Sequence, residues 1–272
     1  MSGPPSTVEP LLRETRSKVL APYGVGAAAV VAVFIVVTAI YGHPLLPIDD
    51  GYTTLHDAQV LILHGGHDPN YAGVSPLDGE TSLVHLALLT LLVPIGGEWA
   101  SYLVSWLAVL VYVLGVVRLA RLFRIGQGST VGAVVVALLS GAIGYQLLNG
   151  METGLAMATV VWLLALAIER RHIVWLGLLS GVAPFVRPEL GLLAALLIVA
   201  VSWQLARAGE YRRVLILVCA ALVGAAPWII WSYLATGHLL PTTVSAKAAW
   251  FAEQGLPKRT KLHYTWVSVG HF

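Results

Sequence analysis

The sequence predicts an all-α polytopic membrane protein of about seven transmembrane helices, and three observations carry that expectation. Hydrophobic residues make up 57% of the chain and charged residues only 11%, against about 25% charged in a soluble globular domain, so polar surface is too scarce to cover a body surrounded by water. Mean hydropathy is +0.79, concentrated in runs close to the ~20 residues that a helix needs to cross a bilayer core. Small arginine clusters recur between those runs and set their sidedness, because cytoplasmic flanks collect Lys and Arg.

Residues 1–20 are polar, with Arg13, Arg16 and Lys18 near the end, and read as a disordered cytoplasmic tail. The run 23–41 follows. It lacks a small-residue cleavage site in the usual place and is expected to be an uncleaved spanning helix rather than a removed signal peptide. Next comes the longest polar segment, 42–98. Within it Leu55, Ala58, Leu61 and Ile62 recur at amphipathic spacing over 52–63, and Gly65-Gly66 supplies a stop, so this helix should lie flat on the membrane.

The stretch from Ser82 to Pro94 is apolar but too short to span comfortably. If it crossed, the clusters Arg118/Arg121/Arg124, Arg170/Arg171 and Arg207/Arg212/Arg213 would all face outward while the tail stayed inside. If it is a juxtamembrane or re-entrant helix, every cluster falls on the cytoplasmic side. The crossings are then 23–41, 99–120, 129–148, 154–168, 173–186, 190–206 and 214–234. Residues 21–235 form a seven-helix transmembrane module whose outer loop 42–98 is the expected catalytic loop, and 236–272 form an outer segment.

Several function classes lose support. A net charge of +2 gives no reason to expect nucleic acid, and no cluster of Lys and Arg suggests a polybasic lipid patch. The single Cys219 excludes a disulfide within the chain. No phosphate-cradling glycine loop, Walker pattern or GxSxG elbow is present. Five histidines, His43, His56, His64, His67 and His85, fall at 43–85, but the glycines between His64 and His67 give a zinc site no rigidity. Trp99, Tyr102, Trp228, Trp231 and Tyr233 sit near predicted span ends and read as interfacial anchors.

The candidate functional residues lie on the outward side. Asp49 and Asp50 open the polar segment; an Asp before a helix is as readily an N-cap, though two adjacent carboxylates exceed what one cap needs. Glu152 stands at the turn between the third and fourth spans, where it would also suit the positive end of the following helix. Arg187 and Glu189 interrupt a continuous apolar stretch from Ile173 to Trp203, and charges at membrane depth are functional by default, although the two could pair structurally. Lys247 is either a phosphate ligand or a snorkelling lysine.

Outside the cytoplasmic membrane neither ATP nor nucleotide sugars are available, so group transfer there needs a donor carried in the membrane. A polyprenyl-phosphate sugar fits. Its phosphate leaves as an anion, needing cationic stabilisation by Arg, Lys or a divalent cation rather than a general acid, while the acceptor hydroxyl needs a carboxylate base.

Asp49-Asp50-Gly-Tyr before an amphipathic helix, Gly79-Glu-Thr-Ser82-Leu before a short apolar segment, Gly150-Met151-Glu152-Thr153, Arg187-Pro188-Glu189 and Pro241-Thr-Thr-Val-Ser-Ala-Lys247-Ala together resemble the GT-C-fold membrane glycosyltransferases. Within that class the chain is most similar to the group of the mycobacterial terminal arabinofuranosyltransferase and, more distantly, the lipid A aminoarabinose transferases and protein O-mannosyltransferases. The resemblance implies a seven-helix GT-C-like module with two juxtamembrane helices in the first outer loop, Asp49 as catalytic base, Asp50 as its assistant or a metal ligand, and Glu152 lining the donor or metal site. Charge adds Arg187, Glu189 and Lys247 as donor-phosphate residues. The implied partners are a polyprenyl-phosphate sugar donor, a glycan, lipid or protein acceptor and membrane lipids. Family members continue with further spans, so this chain is expected to be truncated relative to them, with a second polypeptide as one way to complete the fold. Two other functions stay open: a non-catalytic membrane protein binding a partner or lipid-linked glycan, and a transporter with Arg187 and Glu189 in its pathway.

Overall fold

A computed structural model describes residues 49–69, 73, 75–139 and 149–239, together with residues 23, 24, 26–28, 30–32, 34, 35, 38–40 and 42. The described residues contain helices and no strand: α1 (Asp49–Leu63), α2 (Leu83–Leu92) continued by a 3-10 turn (Val93–Ile95), α3 (Gly97–Leu122), α4 (Gln127–Leu139), α5 (Thr153–Glu169), α6 (Ile173–Val186), α7 (Leu190–Arg207) and α8 (Tyr211–Thr236). The all-α expectation holds for these residues.

Three helices, α3, α7 and α8, are long and apolar enough to cross a membrane. The outward side chains of α7 and α8 are large and apolar, among them Leu192, Leu196, Val199, Leu215, Leu222 and Leu234, a surface suited to lipid rather than water. The apolar helices α5 and α6 are shorter, and α4 is described only to Leu139. At about 1.5 Å per residue the 14 residues of α6 reach about 21 Å, less than the ~30 Å of a bilayer core. The expected spans near 99–120, 154–168, 173–186, 190–206 and 214–234 each coincide with a helix; the span 129–148 is described only to 139, and 23–41 only in part.

The segment expected to stay out of the bilayer is α2. Its 10 residues extend about 15 Å, and Leu83, Leu86, Leu89 and Val93 are buried against α1, the start of α3 and Phe185. Ser82 starts it: its hydroxyl oxygen accepts from the His85 amide at 3.2 Å and donates to the Phe185 carbonyl at 3.4 Å. One side chain thus caps α2 and ties the preceding loop to the end of α6.

The tightest packing joins α6 to α8. A Cβ added to Gly181 would lie 2.0 Å from the Ala221 carbonyl oxygen, and one added to Gly224 would lie 2.3 Å from that of Leu178. Gly177 and Gly181 stand one turn apart, the spacing at which small residues let two helix backbones touch. Pro188 ends α6: a proline disfavours the helical region for the residue before it, and Arg187 is extended at φ −154°, ψ 135°. The chain restarts as α7 three residues later.

The helices leave the bundle with two unlike ends. At one, α3, α5 and α7 finish and α6 and α8 begin, bringing together Arg118 with Glu169 and Arg213 with Glu210 and the Arg170 carbonyl. At the other lie α1, α2, the Asn149–Glu152 turn and the break at Arg187.

Candidate functional site

The Asn149–Glu152 turn is built by its own sequence. The Asn149 side-chain oxygen accepts from the Met151 amide at 3.0 Å, and Gly150 adopts φ 81°, which only glycine reaches without strain. Gly51 in the first turn of α1 packs on this turn so closely that an added Cβ would meet the Asn149 carbonyl oxygen at 3.3 Å. The described helix includes Asp49 and Asp50, so both lie within it rather than preceding it. Of these two residues the structure describes the backbone, which leads into Gly51 on the turn bearing Glu152.

Glu152 and Glu189 occupy the N-cap positions of α5 and α7, and neither side chain caps its helix. Both turn to Arg187 instead: its Nε lies 3.3 Å from Glu152 Oε1 and 3.1 Å from Glu189 Oε1. Neither contact has hydrogen-bond alignment, since Nε is without a hydrogen-bond partner; the attraction is between charges. The Glu152 side chain is 9% exposed and that of Glu189 62%, so the inner pair is the stronger one. Of the two structural alternatives raised by the sequence, a dipole role for Glu152 and an Arg187–Glu189 pair, the fold realises a three-membered cluster.

Two carboxyl groups that sequence reasoning did not single out complete this end. Glu80 is buried and hydrogen-bonded to Thr54 and Asp57, which stand one turn apart on α1. Its acid is pushed up to about 8, first by burial and then by the Asp57 charge beside it, with Glu152 adding to the effect. Asp57 is raised as well, chiefly by burial. Two carboxyl groups in contact retain one proton between them, and the deeper Glu80 holds it at neutral pH. Thr54 and Asp57 follow Asp50 by one and two turns of α1, so the acidic start of that helix and the Asp57–Glu80 pair belong to one element.

Around the cluster lie four further features. His56 Nε2 is 2.9 Å from Asp68 Oδ2. A cavity of about 700 Å³ opens between His67, Asp68, Ser75 and the end of α8 at Trp231 and Leu234. A second cavity, about 360 Å³ and apolar, begins at Leu155, one turn from Glu152, and runs between Leu88, Leu92 and Val104 to Trp162. His85 on α2 is wholly enclosed, with both ring nitrogens unpartnered, and burial pushes it down to about 4, leaving the ring neutral.

Among the described residues, no three His, Cys, Asp or Glu side chains are arranged to hold a metal ion; of the two residues named for that role, Glu152 faces Arg187. Lys247 lies outside the described residues. The structure therefore brings Glu152, Arg187 and Glu189 together, packs Gly51, the residue after Asp50, on the Asn149–Gly150 backbone, and adds Asp57 and Glu80. No protein-family model, no curated protein and no solved structure matches this chain.

Proposed function

We propose that the protein is a GT-C-type membrane glycosyltransferase of about seven spans that moves a sugar from a polyprenyl-phosphate donor to a cell-envelope acceptor on the outer face of the cytoplasmic membrane. The observation that carries the reading is the gathering of Glu152, Arg187, Glu189, Asp57 and Glu80 beside the start of α1 at one end of an apolar bundle. The arginine clusters at the other end favour its facing the cytoplasm, which turns the carboxyl cluster outward.

The chemistry asks for a base and a cation. The acceptor oxygen attacks the anomeric carbon and forms the new glycosidic bond, while the bond from that carbon to the phosphate oxygen breaks and the phosphate leaves with the electron pair. Asp49 takes the proton from the acceptor hydroxyl, assisted by Asp50. Arg187, with Lys247, stabilises the phosphate charge as it develops, and Glu152 and Glu189 hold the arginine in place. The apolar cavity that starts one turn from Glu152 supports a donor carried on a lipid, and the larger cavity beside Asp68 leaves room for an acceptor.

Transfer from radiolabelled polyprenyl-phosphate sugars in membranes tests this. Asp49→Asn should reduce transfer about 10²- to 10⁴-fold, the usual contribution of a positioned base; unchanged transfer removes Asp49 from the mechanism, and no transfer with any donor points to a protein that binds rather than reacts. One observation favours a second reading. A buried, protonated Glu80 is also what a proton-coupled transporter uses, and such a protein would instead show solute uptake that is lost in Arg187→Ala.

A further inference from the structure

The base and the phosphate-binding arginine of the proposed reaction come from elements distant in the chain, Asp49 from α1 and Arg187 from the end of α6, and the strap 80–82 joins those elements. At its start the Glu80 carboxyl group is hydrogen-bonded to Thr54 and Asp57 on α1. At its end the Ser82 hydroxyl donates to the Phe185 carbonyl at 3.4 Å, just before Arg187. The strap is itself anchored: the amides of Asp78 and Glu80 donate to the Ser75 and Leu77 carbonyls, and Leu77 is buried. The sense of the acid–acid bond follows from its effect. It favours the protonated form of Glu80 and the ionised form of Asp57, so Glu80 donates its proton to the Asp57 carboxylate. α1 is held a second time near its start, where Gly51 packs on the Asn149–Gly150 backbone. One contact leaves a helix free to pivot, whereas two at different places along it set its direction.

We propose that Glu80 is a positioning residue of the transferase site, its hydrogen bonds to Thr54 and Asp57 holding α1 so that Asp49 stays aligned with Arg187. The inference rests on the transferase reading. A carboxyl group is costly to bury in that place, and an apolar side chain would close the loop over α1 with less penalty. What the neutral acid adds is a donor for Asp57 and an acceptor for Thr54 at once. The proton is also the weak point of the hold. Ionised Glu80 loses the bond to Asp57 and faces two like charges, Asp57 from α1 and Glu152 from the start of α5. The charged groups around it are engaged elsewhere: Arg187 faces Glu152 and Glu189, and His56, beside Asp57, faces Asp68. His85 on α2 is neutral. Deprotonation therefore drives the strap and α1 apart and turns Asp49 away, and productive geometry tolerates only about 10–20° of misalignment. With the Glu80 acid at about 8, the hold is present at neutral pH and is lost as pH rises through that value.

Transfer by the full chain in membranes, followed across neutral and alkaline pH, tests this together with hydrogen exchange of residues 49–63 corrected for the pH dependence of free amides. In the unaltered protein kcat should fall about tenfold between about pH 7 and 9, the loss expected one unit above the controlling acid, and protection of 49–63 should fall over the same range. Glu80→Gln keeps a donor and an acceptor in the same shape, so it should retain most of the transfer at neutral pH and remove both declines. Glu80→Ala should lower kcat per folded protein about 10- to 100-fold, as a misplacement of about 1 Å does, without raising the KM for the donor. A decline that persists in Glu80→Gln overturns the proposal. So does full kcat in whatever Glu80→Ala protein folds, which would make Glu80 a stabilising residue only. Absence of transfer in the unaltered protein removes the transferase reading alone, because exchange then decides the role of Glu80: equal protection of 49–63 on both sides of pH 8 overturns it.

Discussion

The two ends of the bundle handle charge in opposite ways. Where α3, α5 and α7 finish, the arginines are numerous and half-exposed, and their carboxylate partners Glu169 and Glu210 come from the same end. Where α1 and α2 gather, the acids predominate and two of them are buried, Glu80 at 5% and Glu152 at 7% exposure over the whole residue, with Arg187 between Glu152 and the exposed Glu189. Exposed pairs contribute roughly 0–1 kcal/mol and serve mainly to orient a chain in its membrane. Buried carboxyls carry a desolvation cost that simple helix stability does not require, and that cost is why chemistry is sought at the second end.

The largest expected effect comes from dismantling the scaffold that both ends share. Gly181→Val forces α6 away from α8, whose backbone already lies where the new side chain would go. Overpacking of that kind costs about 3 kcal/mol or more, and fluorescence-detected size exclusion should find little folded protein. Next comes the buried charge. Arg187→Ala leaves Glu152 without its partner, and we expect about 2 kcal/mol of destabilisation, below the 3–5 kcal/mol of a fully buried pair because the Arg187 side chain is 34% exposed. Adding Glu152→Gln should restore most of it in thermal melts, which separates an unpaired charge from lost packing.

Glu80 sharpens the contrast through pH. Its folded-state acid lies at about 8 against an ordinary 4.5, so between those values the folded protein holds a proton that the unfolded chain has released. Stability therefore falls as pH rises across that window. Melting temperatures from pH 5 to 8 should decline, and Glu80→Gln should flatten the slope; an equally steep decline in the variant would place the proton elsewhere. The smallest effect belongs to the other end, where Arg118→Gln, losing a half-exposed pair with Glu169, should cost about 1 kcal/mol or less in the same melts.

The fold was legible where apolar runs are bounded by punctuation. Pro188 ends α6 where the sequence has its charged interruption, and the short apolar stretch from Ser82 to Pro94 forms a short helix packed on α1 and α3. The site was legible only in part. Glu152, Arg187 and Glu189 stand out in sequence because they are charges in apolar surroundings, but their common contact depends on α6 closing against α5. Asp57 and Glu80 gave no such signal: each is one acid in a polar segment, where a solvated side chain is the ordinary expectation. Their contact arises because Ser82 anchors the loop after Glu80 to Phe185, folding that acid back over α1. The helical state of Asp49 and Asp50 was not legible either, since the apolar stripe of α1 begins at Leu55 while both residues already lie in the helix.

Sugar transfer measured side by side for substitutions at the two ends tests the central claim most directly. In membranes supplied with polyprenyl-phosphate sugars, Asp49→Asn should reduce transfer at least 100-fold, taking the lower bound for a positioned base, and Glu152→Gln should reduce it less, by loosening Arg187, while Arg124→Gln and Arg171→Gln at the arginine-rich end leave it unchanged. Equal losses from both ends, or full transfer by Asp49→Asn, would contradict the assignment of the chemistry to the end where α1 begins.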